Sequence, residues 1–300
     1  APTEIYTLSL PDALPISAEV PKENGRSDLP PGVEVVRDLE YARAGARRLL
    51  LDLYLPVTKP KPWPVIVWIH GGAWRGGDKS PCDGLPVLEK GIAVASLSYR
   101  LSGEAVFPAQ IEDCKAAVRW LRAHGARHRL ATERIGAWGS SAGGHLAALL
   151  GTTGDVKAFD VGGNLDHSSR VQAVCNYYGP TDLSRMQAHS GPESRVRHDL
   201  PDSPEALLIG GRVADHADRA AAASPVTYAT DDDPPFLTVH GTADPLVPVG
   251  QARVLDEALR NAGVSSTLNI LECAGHGGRQ FQTPLLRAAV TRFFEDHLRP

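Results

Sequence analysis

From Val33 onward, short apolar runs alternate with amphipathic stretches along the chain. "GVEVVRDLEYA" and "RRLLLDLYLP" alternate apolar and polar residues well enough to predict two antiparallel opening strands. "WPVIVWIHGG" (63–72) is nearly all apolar up to His70, as is "GIAVASLSYR" (91–100). Runs of that kind suit strands buried on both faces of a parallel sheet. "FPAQIEDCKAAVRWLRAHG" places Ile111, Cys114, Val118 and Leu121 at three- and four-residue spacing, which predicts an amphipathic helix closed by Gly125. "RIGAWGSSAGGHLAALLGTTG" reads as strand (Ile135–Trp138), sharp glycine-flanked turn, then helix (Gly144–Leu150). Further buried strands are predicted in 171–180 and 234–248, a helix in "GQARVLDEALRNAG", a strand in "SSTLNILECAGHGG" and a last helix in "TPLLRAAVTRFFEDHL".

Repeated strand–helix alternation with no internal repeat predicts one α/β domain over 33–300, with a mostly parallel central sheet flanked by helices. Residues 181–233 break the rhythm, being rich in Asp, Pro, Ser, Arg and His. They are expected to form a short excursion over the C-terminal sheet edge, where open α/β sheets bind ligands. Residues 1–32 read as a leader: Pro11 and Asp12 interrupt the first apolar stretch, and no basic segment precedes it. Glu4–Ser17 resembles the conceptual translation of a sequencing adapter, as occurs at the ends of assembled environmental contigs, so residues 1–17 are expected not to be native. Pro21–Gly32, with its prolines and charges, is expected to be mobile.

Composition narrows the function classes. A hydrophobic share of 42% and a formal net charge of −4 are those of an ordinary globular protein, and neither calls for nucleic acid or an anionic membrane as partner. No apolar run approaches the roughly 20 residues that span a bilayer. Cys82, Cys114, Cys175 and Cys273 lie far apart without CxxC spacing, which argues against zinc and for buried free thiols. An oxidising compartment would allow one disulfide, for example from Cys82 to a distant partner.

The candidate chemistry centres on Gly139-Ser140-Ser141-Ala142-Gly143. A nucleophile at a sharp strand-to-helix turn needs small residues two positions to either side. Centring on Ser141 puts Gly139 and Gly143 there, whereas centring on Ser140 puts Trp138 and Ala142 there. Ser141 is therefore the candidate, and the absence of a GK[ST] ending argues against a phosphate loop. A serine needs a base oriented by an acid. His276 in "CAGHGG" follows the last predicted strand, and Asp244 in "HGTADPLVP" follows the strand before it. Asp182 in "YGPTDL" also follows a strand end and is the second candidate acid. His145, four residues past Ser141, is expected to pack rather than react, and Asp231–Asp233 to be a solvated loop rather than a metal site. "HGGAW" (70–74) follows a buried strand, where Gly71 and Gly72 would let backbone N–H groups approach an oxyanion together with that of Ala142.

These motifs, in this order, resemble the α/β-hydrolase superfamily, specifically its esterase/lipase branch with HGG(A/G)W and GxSAGG, over residues 33–298. "SLSYRLS", "YGPTDL" and "ASPVTY" are similar to bacterial carboxylesterases of the feruloyl/acetyl-esterase type. Ser140 stands where the hormone-sensitive-lipase relatives usually carry Asp, which points away from that group. The resemblance implies an α/β-hydrolase fold and a Ser141–His276–Asp244 acyl-enzyme mechanism with oxyanion donors at Gly71, Gly72 and Ala142. It requires no metal or organic cofactor. The implied partner is a small or aromatic ester, or an ester-decorated plant polysaccharide, which would favour a secreted or periplasmic bacterial location. Trp74 and Ser140 are expected near the substrate, although a place for Trp74 in the core fits its residue type nearly as well. The alternatives are an aryl formamidase, as in kynurenine formamidases, and a non-catalytic hydrolase fold used for binding.

Overall fold

A computed structural model describes residues 6–8, 29 and 31–299. Most of the leader therefore lies outside the described residues, as does most of the stretch expected not to be native. Within it, Tyr6–Leu8 forms strand β1, parallel to the far edge of the sheet.

The two alternating opening segments form β2 (Glu34–Ala44) and β3 (Arg47–Leu55), paired antiparallel as their patterns predict. The near-continuous apolar runs become β4 (Trp63–Ile69) and β5 (Ala93–Leu97). Next come β6 (Leu130–Ser140), β7 (Ala173–Tyr177), β8 (Phe236–Gly241) and β9 (Ser266–Leu271). The sheet order is β1-β9-β8-β7-β6-β4-β5-β3-β2. It is parallel from β1 through β5 and antiparallel only where β3 meets β5 and β2.

Strand periodicity divides the core in two. Val65, Val67 and Ile69 of β4 face a cluster shared with helices α1 (Ala109–His124) and α2 (Ala142–Thr152). Ile66 and Trp68 face the opposite cluster, which includes Val290, Phe294 and Leu298. A strand covered on both sides has no polar face to show, which explains the unbroken apolar run in the sequence. Ile111, Cys114, Val118 and Leu121 of α1 all enter the first cluster.

Two boundaries differ from the periodicity. Gly125 does not close α1 with a left-handed cap. Its φ is −61°, the chain continues as a 3-10 turn over Gly125–His128, and Arg129 (φ 61°) takes the left-handed position. The glycine is needed for space, because a Cβ there would lie 2.5 Å from Thr132 Cγ2. The strand-to-helix turn is also tighter than expected. β6 runs through Ser140 and α2 begins at Ala142, so the chain reverses at Ser141 alone.

Residues 181–233 contain three short helices, α3 (Met186–His189), α4 (Pro204–Ile209) and α5 (Ala217–Ala222). They leave from the C-terminal end of β7 and are tied to the first core layer: the Thr181 and Asp182 N–H groups both donate to Gln251 Oε1, and Leu208 C=O accepts from Phe107 N–H. Gln251 belongs to α6 (Gly250–Asn261), and the last helix is α7 (Pro284–Leu298). No helix of the described residues is long and apolar enough to cross a membrane. Cys82, Cys114 and Cys175 are buried free thiols, as expected, but Cys273 is an exposed one.

Candidate active site

Ser141 sits at the reversal with φ 56° and ψ −123°, a conformation that costs a non-glycine residue about 1–3 kcal/mol and must be held by its surroundings. The glycine spacing in the sequence is a packing requirement. A Cβ on Gly139 would lie 2.2 Å from Gly143 C=O, and one on Gly143 would lie 2.0 Å from Ile69 C=O. The turn is further held by Ser141 N–H donating to Tyr177 C=O at 2.8 Å and His145 N–H donating to Ser141 C=O at 3.0 Å.

The three residues singled out at distant points of the chain meet here. His276 Nε2 lies 2.9 Å from Ser141 Oγ, and His276 Nδ1 lies 2.7 Å from Asp244 Oδ2. With Nδ1–H donating to the carboxylate, Nε2 is left to accept the serine hydroxyl proton. Asp244 Oδ1 accepts from the N–H groups of Leu246 and Val247, both at 2.9 Å, so the carboxylate is fixed by its own turn. Burial raises the Asp244 pKa, but hydrogen bonds and charge from His240 and His276 outweigh it and hold the carboxyl well below the usual range. Asp182, the other acid considered, is turned to its own backbone and accepts from Ser184 N–H.

The HGGAW loop comes up beside Ser141 from the end of β4. His70 is buried, stacks on Tyr99 with ring centroids 4.4 Å apart, and shares a 2.7 Å hydrogen bond between its Nδ1 and Gly71 C=O. Burial lowers its pKa, and because a carbonyl can only accept, Nδ1 carries the proton that this bond uses. A Cβ on Gly71 would come 3.2 Å from Ser141 Cβ, so a side chain there would crowd Ser141. Gly72 has φ 111°, and its carbonyl accepts from Arg75 and Gly76 N–H in a tight turn. The Ala142 N–H is at the first turn of α2, where helix geometry supplies no acceptor.

The structure separates the two residues expected near substrate. Trp74 takes the core position: it is 1% exposed, and its indole N–H donates to His145 Nδ1 at 3.1 Å. Ser140 lines a groove of about 1170 Å³ together with Asp83, Leu85, Tyr178, Gly278 and Phe281. That groove is lined by neither residues 181–233 nor Ser141, Asp244 or His276. The excursion packs on α2 and α6, and its Arg195 N–H donates to Pro245 C=O, next to Asp244, at 2.8 Å.

Sequence reasoning missed two neighbours of the triad. His240, near the end of β8 and just before the turn that carries Asp244, places Nε2 2.8 Å from Val247 C=O and 3.3 Å from Asp244 Oδ2. Its spacing of four residues before the acid was the available signal. Tyr178, two residues past a predicted strand centre, packs edge-on against the His276 ring with centroids 4.6 Å apart. Burial pushes its phenol up to about 12, against the opposing effect of the Ser140 hydroxyl. Among the described residues, no group of His, Cys, Asp or Glu could hold a metal ion.

A mostly parallel sheet, a strained serine elbow and a histidine and aspartate delivered by the last two sheet loops define an α/β-hydrolase. The chain belongs to the BD-FAE family, whose pattern matches residues 51–259. It is similar to two Mycobacterium tuberculosis proteins. Esterase LipQ is 32% identical over 76% of this chain and 53% of LipQ; Esterase LipC is 34% identical over 76% of this chain and 56% of LipC. The chain thus spans about half the length of these curated relatives. Among solved structures it is similar to a truncated carbohydrate esterase from gut microbiota, with TM-score 0.81, 32% identity, and coverage of 91% of this chain and 99% of that one.

Proposed function

We propose that this chain is a serine carboxylic-ester hydrolase working through an acyl-enzyme. The observation that carries the reading is the unbroken Ser141–His276–Asp244 chain of contacts, at 2.9 and 2.7 Å, beside a glycine loop with backbone donors. His276 Nε2 takes the Ser141 proton as Oγ attacks the ester carbonyl, and Asp244 stabilises the resulting imidazolium. The oxyanion is held by the N–H groups of Gly72 and Ala142, with Gly71 beside them. His276 then protonates the leaving alcohol, and a water activated by the same nitrogen releases the acid. Apart from that water, these steps use groups of the chain itself.

The substrate class is a small or aromatic ester of the acetyl or feruloyl type, including esters on plant polysaccharides. Supporting it are the motif resemblance and the similarity to a carbohydrate esterase. Action on polysaccharides would place the protein outside the cytoplasm. The test is a panel of acetyl, butyryl, feruloyl and formamide substrates with Ser141→Ala as control. Turnover of esters that Ser141→Ala abolishes supports the proposal; preference for N-formylkynurenine over every ester overturns it in favour of a formamidase. Failure of a fluorophosphonate to label folded protein at Ser141 would instead leave a binding module.

A further inference from the structure

His145 lies one helical turn beyond Ser141 and is fully buried. Both of its ring nitrogens are engaged. Nδ1 accepts the Trp74 indole N–H at 3.1 Å, and Nε2 lies 2.6 Å from Ala223 C=O. A carbonyl can only accept, and an indole N–H can only donate. The two partners therefore fix one tautomer, neutral with the proton on Nε2. Burial, which pushes this imidazole down to about 4, favours the same uncharged form.

Its three attachments belong to different parts of the molecule. The backbone N–H holds the Ser141 carbonyl, Nδ1 holds the glycine loop through Trp74, and Nε2–H holds the 181–233 excursion through Ala223. The glycine loop needs holding. Ala73 and Trp74 both have left-handed backbones, with φ 54° and 57°, which non-glycine residues rarely adopt. Beyond packing, Trp74 is tied down by its indole N–H and by its carbonyl, which accepts from Ser102 N–H at 2.7 Å.

The geometry points to His145 as a positioning residue for the oxyanion donors: it latches the Gly71–Gly72 loop to the nucleophile helix, so that N–H groups from two chain segments converge on one oxygen. This rests on the ester-hydrolase reading of the site. A latch of this kind acts on the tetrahedral state, in which the oxyanion forms, and little on ground-state binding.

The test compares wild type with His145→Phe, His145→Gln, Trp74→Phe and the Trp74→Phe/His145→Phe double variant. Each is assayed with p-nitrophenyl acetate after counting active sites by complete fluorophosphonate labelling. His145→Phe and Trp74→Phe should each lower kcat roughly 10- to 100-fold with KM little changed, the loss expected when donors shift by about an ångström. Affinity for a trifluoromethyl ketone, which binds as a tetrahedral adduct, should fall in step with kcat/KM. The double variant should be no worse than the poorer single one, because both remove the same bond. His145→Gln, whose side-chain oxygen can accept the indole N–H, should recover part of the loss. Trp74→Phe keeps an aromatic ring in the core and gives the answer even if His145→Phe folds poorly. Wild-type kcat per titrated site in both single variants, or losses confined to KM or melting temperature, would overturn the latch while leaving the esterase reading intact. A wild type that neither turns over esters nor takes the label would overturn both.

Discussion

Replacing Gly143 by alanine should damage this site although nothing about the backbone forbids it. The residue lies in the first turn of α2 with no positive φ, so helix propensity alone would favour alanine by up to about 1 kcal/mol. Space decides the sign. The new Cβ would sit 2.0 Å from Ile69 C=O and 2.6 Å from His70 C=O. An ordinary carbon–oxygen contact is about 3.3 Å, so the helix and the end of β4 must part by about 1.3 Å. Both obstacles are backbone and cannot swing aside. The separation opens between Ala142 on one side and Gly71–Gly72 on the other, which is where the oxyanion would be held. A displacement of that size is expected to cost about 100-fold in kcat. Overpacking of this kind destabilises by about 1–3 kcal/mol, or roughly 2–12 °C in melting temperature for a domain of this size. The assay is p-nitrophenyl acetate hydrolysis per titrated active site, with melting followed by fluorescence. Gly191→Ala, where a Cβ meets nothing within 4 Å, is the control and should change neither. A Gly143→Ala protein with wild-type kcat and melting temperature would refute the steric argument.

Other consequences can be checked with the same protein. Ser141→Ala should abolish ester hydrolysis while Ser140→Ala keeps most of it, since only Ser141 Oγ reaches His276; the opposite pattern in steady-state rates would reverse the assignment. Asp244→Asn should lower kcat by about 10³- to 10⁴-fold by removing the charge that orients and stabilises the imidazolium. The Asp244 pKa is depressed in the fold, so its contribution to stability is complete above the unfolded value of about 3.9 and is lost as pH falls through the folded one. Urea titrations should therefore show wild type and Asp244→Asn converging only below about pH 4; convergence at neutral pH would contradict this. Lys115→Met should destabilise by about 1–3 kcal/mol, because buried Lys115 donates to Thr153 and Val156 C=O just past the end of α2; an unchanged urea midpoint would mean water replaces it.

The fold was legible because each element is a local pattern. An unbroken apolar run such as 63–69 has one stable use, a strand covered on both faces, and the 3.6-residue spacing of Ile111, Cys114, Val118 and Leu121 has another. That Ser141, Asp244 and His276 meet was legible because each follows a strand, and the C-terminal ends of parallel strands share one edge. Glycine misled at Gly125, where the requirement was room rather than a left-handed cap.

What the sequence determined by itself was a constellation of candidate residues: which serine can stand at a tight reversal, and which His and Asp the topology brings to it. What only the tertiary structure decided were contacts between side chains far apart in the chain. Trp74 could have faced substrate or core, and its bond to His145, 71 residues away, settles it in the core. Tyr178 gained its place beside His276, 98 residues away, in the same way. Local periodicity says which face of an element is buried. It does not say what the buried atoms meet, because partners and distances are fixed only when the layers pack.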